Sequence, residues 1–314
     1  MSTARSPIIV ATGLIKRFAG TTAVDQLSFA VARGEIFGLV GPDGAGKSAT
    51  MRMLAGVMRP DQGTIIVDDV NVVADPEGAK PHISYMPQRF GLYEDLTIDE
   101  NIRFYADLFE VPRALRDERA ARLLAASGME AFRNRLAGQL SGGMKQKLGL
   151  TCALVHTPQI LLLDEPTTGV DPVSRRDFWG ILYELREQGV TIVISTAYLD
   201  EAERCNRLAL LHGGRVLHCD TPAALKRMMP GALIAILSAD GRAVRAALAR
   251  QHGVTHLILV GDGVHAVVDD AERRIPELRD TLRRAGVAFS DIALSSPSIE
   301  DVFVAMLENG GRPQ

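Results

Sequence analysis

The chain is 314 residues long, which suggests about two domains. Its hydrophobic share of 46% is ample for a large core. With 35 basic and 38 acidic residues the net charge is −3, so no basic surplus points to nucleic acid as a partner. The first apolar run, Ile8-Ile9-Val10-Ala11 after a single early Arg5, is far too short for a signal peptide. Nowhere does an uninterrupted apolar run reach the roughly 18 residues of a membrane span.

Residues 8 to about 75 read as strands, a glycine loop and its helix. Glu35-Ile36-Phe37-Gly38-Leu39-Val40 is a short buried strand. It runs into Gly41-Pro42-Asp43-Gly44-Ala45-Gly46-Lys47-Ser48, which fits the phosphate-binding pattern G-x-x-x-x-G-K-[S/T]. The glycines remove side chains where backbone must approach phosphate, so that successive N–H groups can cradle an anion. Lys47 supplies a point charge for the β- and γ-phosphates, and Ser48 a hydroxyl for Mg²⁺. Thr50-Met51-Arg52-Met53-Leu54-Ala55 opens a helix whose N-terminus faces the phosphates. A turn at Arg59-Pro60-Asp61-Gln62-Gly63 leads to the strand Thr64-Ile65-Ile66-Val67.

From Gln88 to Leu140 the pattern becomes helical. Thr97-Ile98-Asp99-Glu100 is a capping box, followed by helices from Glu100 to Phe109 and from about Arg113 to Ala126. Leu140-Ser141-Gly142-Gly143-Met144 precedes the basic helical stretch Lys145-Gln146-Lys147-Leu148-Gly149-Leu150. Next, Ile160-Leu161-Leu162-Leu163-Asp164-Glu165-Pro166 is an apolar strand ending in two acids. Acids at the C-terminal edge of a buried parallel strand sit where open α/β sheets bind ligands. Asp164 would hold Mg²⁺, directly or through water, and Glu165 would polarise a water attacking the γ-phosphate. A last strand, Ile192 to Ser195, lies within the segment Thr191 to Glu203. Beyond Lys226-Arg227-Met228-Met229-Pro230-Gly231 the order becomes β-α-β-β-α-β: a strand from Leu233 to Leu237, a helix from Arg242 to His252, a hairpin of Thr255 to Val260 and Val264 to Val268 around Gly261-Asp262-Gly263, a helix from Ile275 to Ala285 and a strand from Val287 to Leu294. That order predicts a small ferredoxin-like sandwich. Cys152, Cys205 and Cys219 are scattered and odd in number. They read as reduced packing residues without metal-ligand spacing, and the histidines from His212 to His265 likewise lack ligand spacing.

The phosphate loop, the Ser141-Gly142-Gly143 motif and the acid-tipped strand together resemble the ABC-type ATPases. More narrowly, they resemble the ATP-binding subunits of type-2, drug-type ABC exporters, over roughly residues 8 to 228. The resemblance implies an α/β P-loop fold with a RecA-like parallel sheet core, an antiparallel β subdomain and a helical subdomain at about 89–150. The ATP-binding domain would be residues 1–228, followed by a small C-terminal α+β domain at 229–314. ATP and Mg²⁺ are the implied ligands, cradled by Gly41 through Ser48 and Ala49. Ser48, Gln88 and Asp164 would lie on the metal, with Lys47, Gln88 and Glu165 catalytic. Ser141, Gly142 and Gly143 would meet the γ-phosphate held by the opposite subunit of a head-to-tail dimer. Phe18 is either the aromatic that stacks on adenine or an ordinary core residue at a strand end. Gly169-Val170-Asp171-Pro172 matches the loop that crosses the dimer interface. The aromatic segment Arg89-Phe90-Gly91-Leu92-Tyr93-Glu94-Asp95-Leu96 is either the receiver of the membrane subunit's coupling helix or a plain surface loop.

Three positions depart from the family pattern. Ala197 stands where a histidine normally hydrogen-bonds the γ-phosphate, and losing one such donor costs roughly a hundred- to a thousandfold in rate. Ala49 replaces a second hydroxyl that meets the α-phosphate, and Asp43 replaces the usual Asn. The resemblance thus implies a Mg-ATP-driven subunit of a multidrug or small-molecule exporter, peripheral on the cytoplasmic side of the inner membrane through a separate permease chain. The alternative is a hydrolysis-poor, ATP-gated partner that completes the site of a second ATPase domain. Homodimer and heterodimer are both compatible with the motifs. The interval from Gln88 to Ser141 leaves no room for the coiled coil of chromosome-organising ATPases, and a single phosphate loop does not match the twin units of translation factors.

Overall fold

The computed structural model describes residues 6–89 and 91–308. Two long strands, β1 (Pro7–Phe18) and β2 (Thr21–Ala32), pair antiparallel around a turn at Ala19-Gly20. A short buried strand, β3 (Ile36–Val40), leads through the glycine loop into α1 (Lys47–Leu54). The helix begins three residues earlier than the sequence pattern suggested, because Gly46 in the left-handed region serves as its N-cap. Strands β4 (Gln62–Val67) and β5 (Val70–Asn71) complete an antiparallel sheet of order β2-β1-β4-β5. A turn of helix, α2 (Pro76–Ala79), precedes β6 (Ile83–Met86).

Three helices follow: α3 (Ile98–Leu108), α4 (Arg113–Ser127) and α5 (Gly142–Leu154). The expected capping box is formed, with the Glu100 N–H donating to Thr97 Oγ1 and the Thr97 N–H to Glu100 Oε2. Ile98, Ile102, Leu124, Leu148 and Cys152 close a separate apolar core among these helices. Asn101, fully buried, donates to the carbonyls of Tyr93, Leu96 and Thr97 and accepts the Tyr93 N–H. One amide thus fixes the loop ahead of α3. Phe90 of that loop lies outside the described residues.

Strand β7 (Ile160–Asp164) is buried along its whole length, as the apolar run required. Helix α6 (Pro172–Glu187) lays Phe178, Trp179, Leu182 and Leu185 into the same core as Leu161, Leu163, Ile192 and Ile194. Next come β8 (Thr191–Thr196), α7 (Leu199–Ala202), β9 (Arg207–His212) and β10 (Arg215–Asp220). The main sheet has the order β10-β9-β3-β8-β7-β6, and β9, β3, β8, β7 and β6 run parallel. All five therefore turn the same edge toward the loops that follow them.

By packing, the residues up to Tyr198 together with Cys205–Val216 form one compact unit, and Leu199–Arg204 with Leu217 onward form the other. The second unit contains α8 (Pro222–Arg227), β11 (Ala232–Leu237), α9 (Gly241–Leu248), β12 (Val254–Val260), β13 (Gly263–Val268), α10 (Ala271–Arg284), β14 (Asp291–Ser295) and α11 (Ile299–Glu308). Its sheet, ordered β12-β13-β11-β14 and antiparallel at each pairing, has the ferredoxin-like arrangement. Ile234, Ile236, Val264, Ala266 and Ile292 pack under Val244, Leu248, Leu278 and Leu282 of the two crossing helices. Helix α10 starts before the expected Ile275, since Asp270 caps it by accepting the Arg273 N–H and Pro276 is carried inside it. Helix α9 ends earlier than expected and β14 begins later, at Asp291.

Candidate functional site

The site grows from the C-terminal ends of β3, β7 and β8. Gly41 donates its N–H to the Thr196 carbonyl at 3.3 Å. A Cβ at Gly41 would lie 2.3 Å from the Leu211 carbonyl oxygen, so only glycine passes there. Gly46, with φ of 96°, would bring a Cβ to 2.5 Å from the Ala23 carbonyl. The loop consequently hugs the sheet edge, and Lys47, Ser48 and Ala49 open α1 into a cleft of about 630 Å³. The unpaired first-turn N–H groups of that helix make the cleft an anion site.

Lys47 is 4% exposed. Its ammonium donates to the carbonyls of Gly41 (2.8 Å) and Pro42 (3.0 Å) and pairs with Glu165 Oε1 at 3.0 Å. Asp43 reaches only to 3.9 Å, with its carboxylate in solvent. Gln88, just beyond β6, donates Nε2 to Glu165 Oε2 at 3.0 Å. Glu165 is thus held by the Lys47 cation, the Gln88 amide and, at 3.5 Å, the Thr168 hydroxyl, while its backbone sits at φ of 49°. A non-glycine residue in that region is strained and persists where the surroundings over-determine it.

Asp164 is 1% exposed. Its Oδ1 accepts from Ser48 Oγ at 3.0 Å and from Ser195 Oγ at 2.7 Å, and its Oδ2 accepts from the Tyr85 hydroxyl at 3.3 Å. Burial, and then the Asp164 charge, push the Tyr85 phenol up to about 12, so it stays a donor. Ser48 Oγ, the Asp164 carboxylate and the nearby Gln88 amide are hard oxygen ligands, a set that fits Mg²⁺. Among the described residues no cluster of three or more His, Cys, Asp or Glu could hold a metal. Mg²⁺ needs none, because it is usually held by one or two carboxylates plus substrate phosphates.

The cleft is lined by Asp43, Gly44, Gly46, Lys47, Ser48, Ala49, Gln88 and Glu165 from the expected set, and by Ala197. Ala197 is exposed at the cleft side of β8, so the position of the missing histidine does face this space. Phe18 does not line it. It ends β1 at 44% exposure, with Lys16 Nζ 5.7 Å from its ring, and Ala23 is the lining residue contributed by β2. Ser141, Gly142 and Gly143 are also outside the cleft. Ser141 caps α5 by accepting the Met144 N–H at 3.3 Å, and a Cβ on Gly143 would strike Ser174 at 2.6 Å. Asp171 caps α6 through the N–H groups of Val173 and Ser174, which hold its carboxyl below the usual range. Sequence reasoning missed Tyr85 and Ser195, which donate to Asp164, and Thr168 and Tyr198, which line the cleft. The available signal was a lone hydroxyl in the apolar run Ile192-Val193-Ile194-Ser195, at the same sheet edge as the acids.

The family described as ABC transporter matches residues 24–168. The chain is 41% identical to the probable multidrug ABC transporter ATP-binding protein YbhF of Escherichia coli K12, across 97% of this chain and 53% of that protein. It therefore spans about half the length of this relative. It is 36% identical to the daunorubicin/doxorubicin resistance ATP-binding protein DrrA of Streptomyces peucetius, across 98% of this chain and 94% of that protein. A solved ATP-binding subunit of an ABC transporter superposes with a TM-score of 0.64 at 31% identity, over 70% of this chain and 92% of that one. The dimeric ABC transporter cassette MJ0796 gives a TM-score of 0.63 at 25% identity, over 68% and 98%.

Proposed function

The chain belongs to the ABC transporter ATP-binding family, and on that premise we propose that it energises an exporter by binding and hydrolysing Mg-ATP in a head-to-tail dimer. The observation that carries this is the convergence of Lys47, Ser48, Gln88, Asp164 and Glu165 on one cleft at the sheet edge. In this reading the loop N–H groups and Lys47 bind the phosphates. Ser48, Gln88 and Asp164 would hold Mg²⁺, which when bound neutralises developing phosphate charge. Glu165, freed from Lys47 by the arriving phosphates, orients and deprotonates the attacking water, and Gln88 keeps that carboxylate aimed. Ser141, Gly142 and Gly143, absent from the chain's own cleft, serve the partner's nucleotide. Phe18 remains the candidate for adenine stacking.

Residues 1–228 act as the ATP-binding domain, and 229–314 as a dimerising or regulatory domain. Among the described residues no helix is long and apolar enough to cross a membrane. We assign the transmembrane path to a separate permease and the chain to the cytoplasmic face of the inner membrane. Tyr93, Phe104 and Leu108 stay exposed, with the Tyr93 and Phe104 rings 4.6 Å apart beside the loop fixed by Asn101. We assign the coupling helix of the permease to this surface. The relatives named for multidrug transport and for daunorubicin/doxorubicin resistance make a small-molecule drug the expected class of cargo.

Ala197 favours a second reading, in which this site turns over slowly and the chain completes the site of a faster ATPase partner. Phosphate release from Mg-ATP by the purified chain tests both. A rate per molecule that rises with protein concentration supports the active homodimer. Nucleotide binding without turnover supports the slow partner, and neither binding nor turnover refutes both.

A further inference from the structure

Asp164 and Glu165 are consecutive residues with different tasks, and one hydroxyl touches both. Ser195 lies opposite Asp164 in the parallel register of β7 and β8 and is fully buried. Its Oγ donates to Asp164 Oδ1 at 2.7 Å and accepts the Glu165 N–H at 3.0 Å. The Ser195 carbonyl receives the same N–H at 3.1 Å. Glu165 needs such a restraint, since its left-handed backbone is unfavourable for a side chain with a Cβ.

The two bonds have different consequences. The hydroxyl proton can go to one acceptor only, and it goes to the Asp164 carboxylate. That leaves the oxygen lone pairs to face the Glu165 N–H. The carboxylate is thereby turned toward the loop, where Ser48 Oγ also meets it. The bifurcated N–H fixes the turn that swings the Glu165 side chain back over Lys47 and Gln88. Ser48 would offer a hydroxyl lone pair to a bound metal while its proton can stay on Asp164, whereas Ser195, buried behind the carboxylate, serves only to hold it.

We infer that Ser195 is a positioning residue for both acids: its buried hydroxyl holds the Asp164 carboxylate in metal-binding orientation and pins the strained turn that aims Glu165 at the attacking water. The inference rests on the Mg-ATPase reading above. Ser195 touches neither nucleotide nor metal in this account, so its effect is on metal dependence and turnover rather than on phosphate binding by the loop.

The test compares Ser195→Ala, Ser195→Thr and Ser195→Cys with wild type. Fluorescent ATP analogue is titrated in EDTA and across a Mg²⁺ series, and phosphate release is measured at saturating Mg-ATP. For S195A, affinity in EDTA should match wild type. The Mg²⁺ concentration for half-maximal enhancement should rise, and kcat should fall roughly tenfold to a hundredfold, the worth of one hydrogen bond to a charged group. S195T restores the hydroxyl on a β-branched side chain suited to a strand and should recover most of both losses. S195C, with its weak donor, should resemble S195A and stands in for it if the alanine variant does not fold. Wild-type values in folded S195A or S195C overturn the inference. So do equal losses in folded S195A and S195T, which would assign the effect to packing. A wild-type chain that neither binds nor hydrolyses nucleotide sinks the functional reading itself, whereas an active wild type matched by S195A sinks only this inference.

Discussion

Ala197→His should raise the ATPase rate of the chain. The position is exposed and lines the cleft with Lys47, Ser48, Gln88 and Glu165, so the imidazole gains access to the γ-phosphate without displacing core atoms. The backbone there is already restrained, since the Tyr198 N–H donates to Thr196 Oγ1 at 3.0 Å. An exposed substitution of this kind changes folding stability by about 0.5 kcal/mol or less. One fully preorganised donor to transferring charge is worth about 2.7–4 kcal/mol. An ordinary hydrogen bond to a charged group is worth about 1.5–3 kcal/mol. The lower scale applies here, because a solvent-facing imidazole is only partly preorganised. Asp43 moreover keeps a carboxylate 3.9 Å from Lys47, and Ala49 offers no hydroxyl. At about 1.4 kcal/mol per factor of ten, the gain is about tenfold or somewhat more. Steady-state phosphate release at saturating Mg-ATP measures it, with Glu165→Gln added in the same background to confirm that the increment is chemistry at this site. An unchanged rate in a folded variant would refute the claim that the missing histidine limits turnover.

Other perturbations probe neighbouring parts of the argument. Lys47→Ala removes the ammonium that bridges the loop carbonyls and Glu165, so fluorescent-nucleotide titration should show tight binding lost; equal affinity would overturn the phosphate-loop assignment. Glu165→Gln keeps the side-chain shape but removes the base, and size-exclusion chromatography with ATP should then show a stable dimer that wild type forms only transiently. In the C-terminal unit, His265 Nδ1 lies 2.7 Å from the buried carboxylate of Asp301. That hydrogen bond raises the imidazole above its usual 6.5 despite partial burial. Burial alone would raise the Asp301 carboxyl, but His265 and the Ser298 donors overcome it and hold it low. A raised histidine contributes most below its unfolded value and loses that contribution as pH climbs through the folded one. Wild type should therefore exceed His265→Gln in denaturant midpoint most clearly below the usual imidazole value of 6.5, with the gap narrowing as pH rises above it. A gap that widens with rising pH would contradict this sign.

Much of the nucleotide cleft was legible because its parts are contiguous. The spacing of Gly41, Gly44, Gly46 and Lys47 is local, and so is the abrupt end of the apolar run Ile160–Leu163 in Asp164 and Glu165. The capping box at Thr97 and Glu100 and the six-element order of the C-terminal unit are equally local patterns, so period and punctuation revealed them. Element ends were less secure. Helix α10 starts a turn before the apolar repeat because Asp270 caps it there, and a proline inside a helix pattern reads as a stop. Phe18 could be counted as the right residue type in the right stretch, but its place, exposed at the end of β1 and outside the cleft lining, is a tertiary fact.

The sequence by itself determined the chemistry on offer: an anion-binding loop with a lysine and a hydroxyl, two acids at a strand end, and an alanine where a histidine would donate. Only the tertiary structure decided how those groups are restrained. Ser195 is visible locally as a hydroxyl closing an apolar run, but that run does not tell a serine that holds both acids from one that merely fills space. Its part arises from the parallel register that sets it beside Asp164, from the complete burial of that contact, and from the positive φ of Glu165 that it helps to hold. Register between strands that are thirty residues apart is a long-range property, fixed by packing of the whole sheet, and no window of sequence contains it.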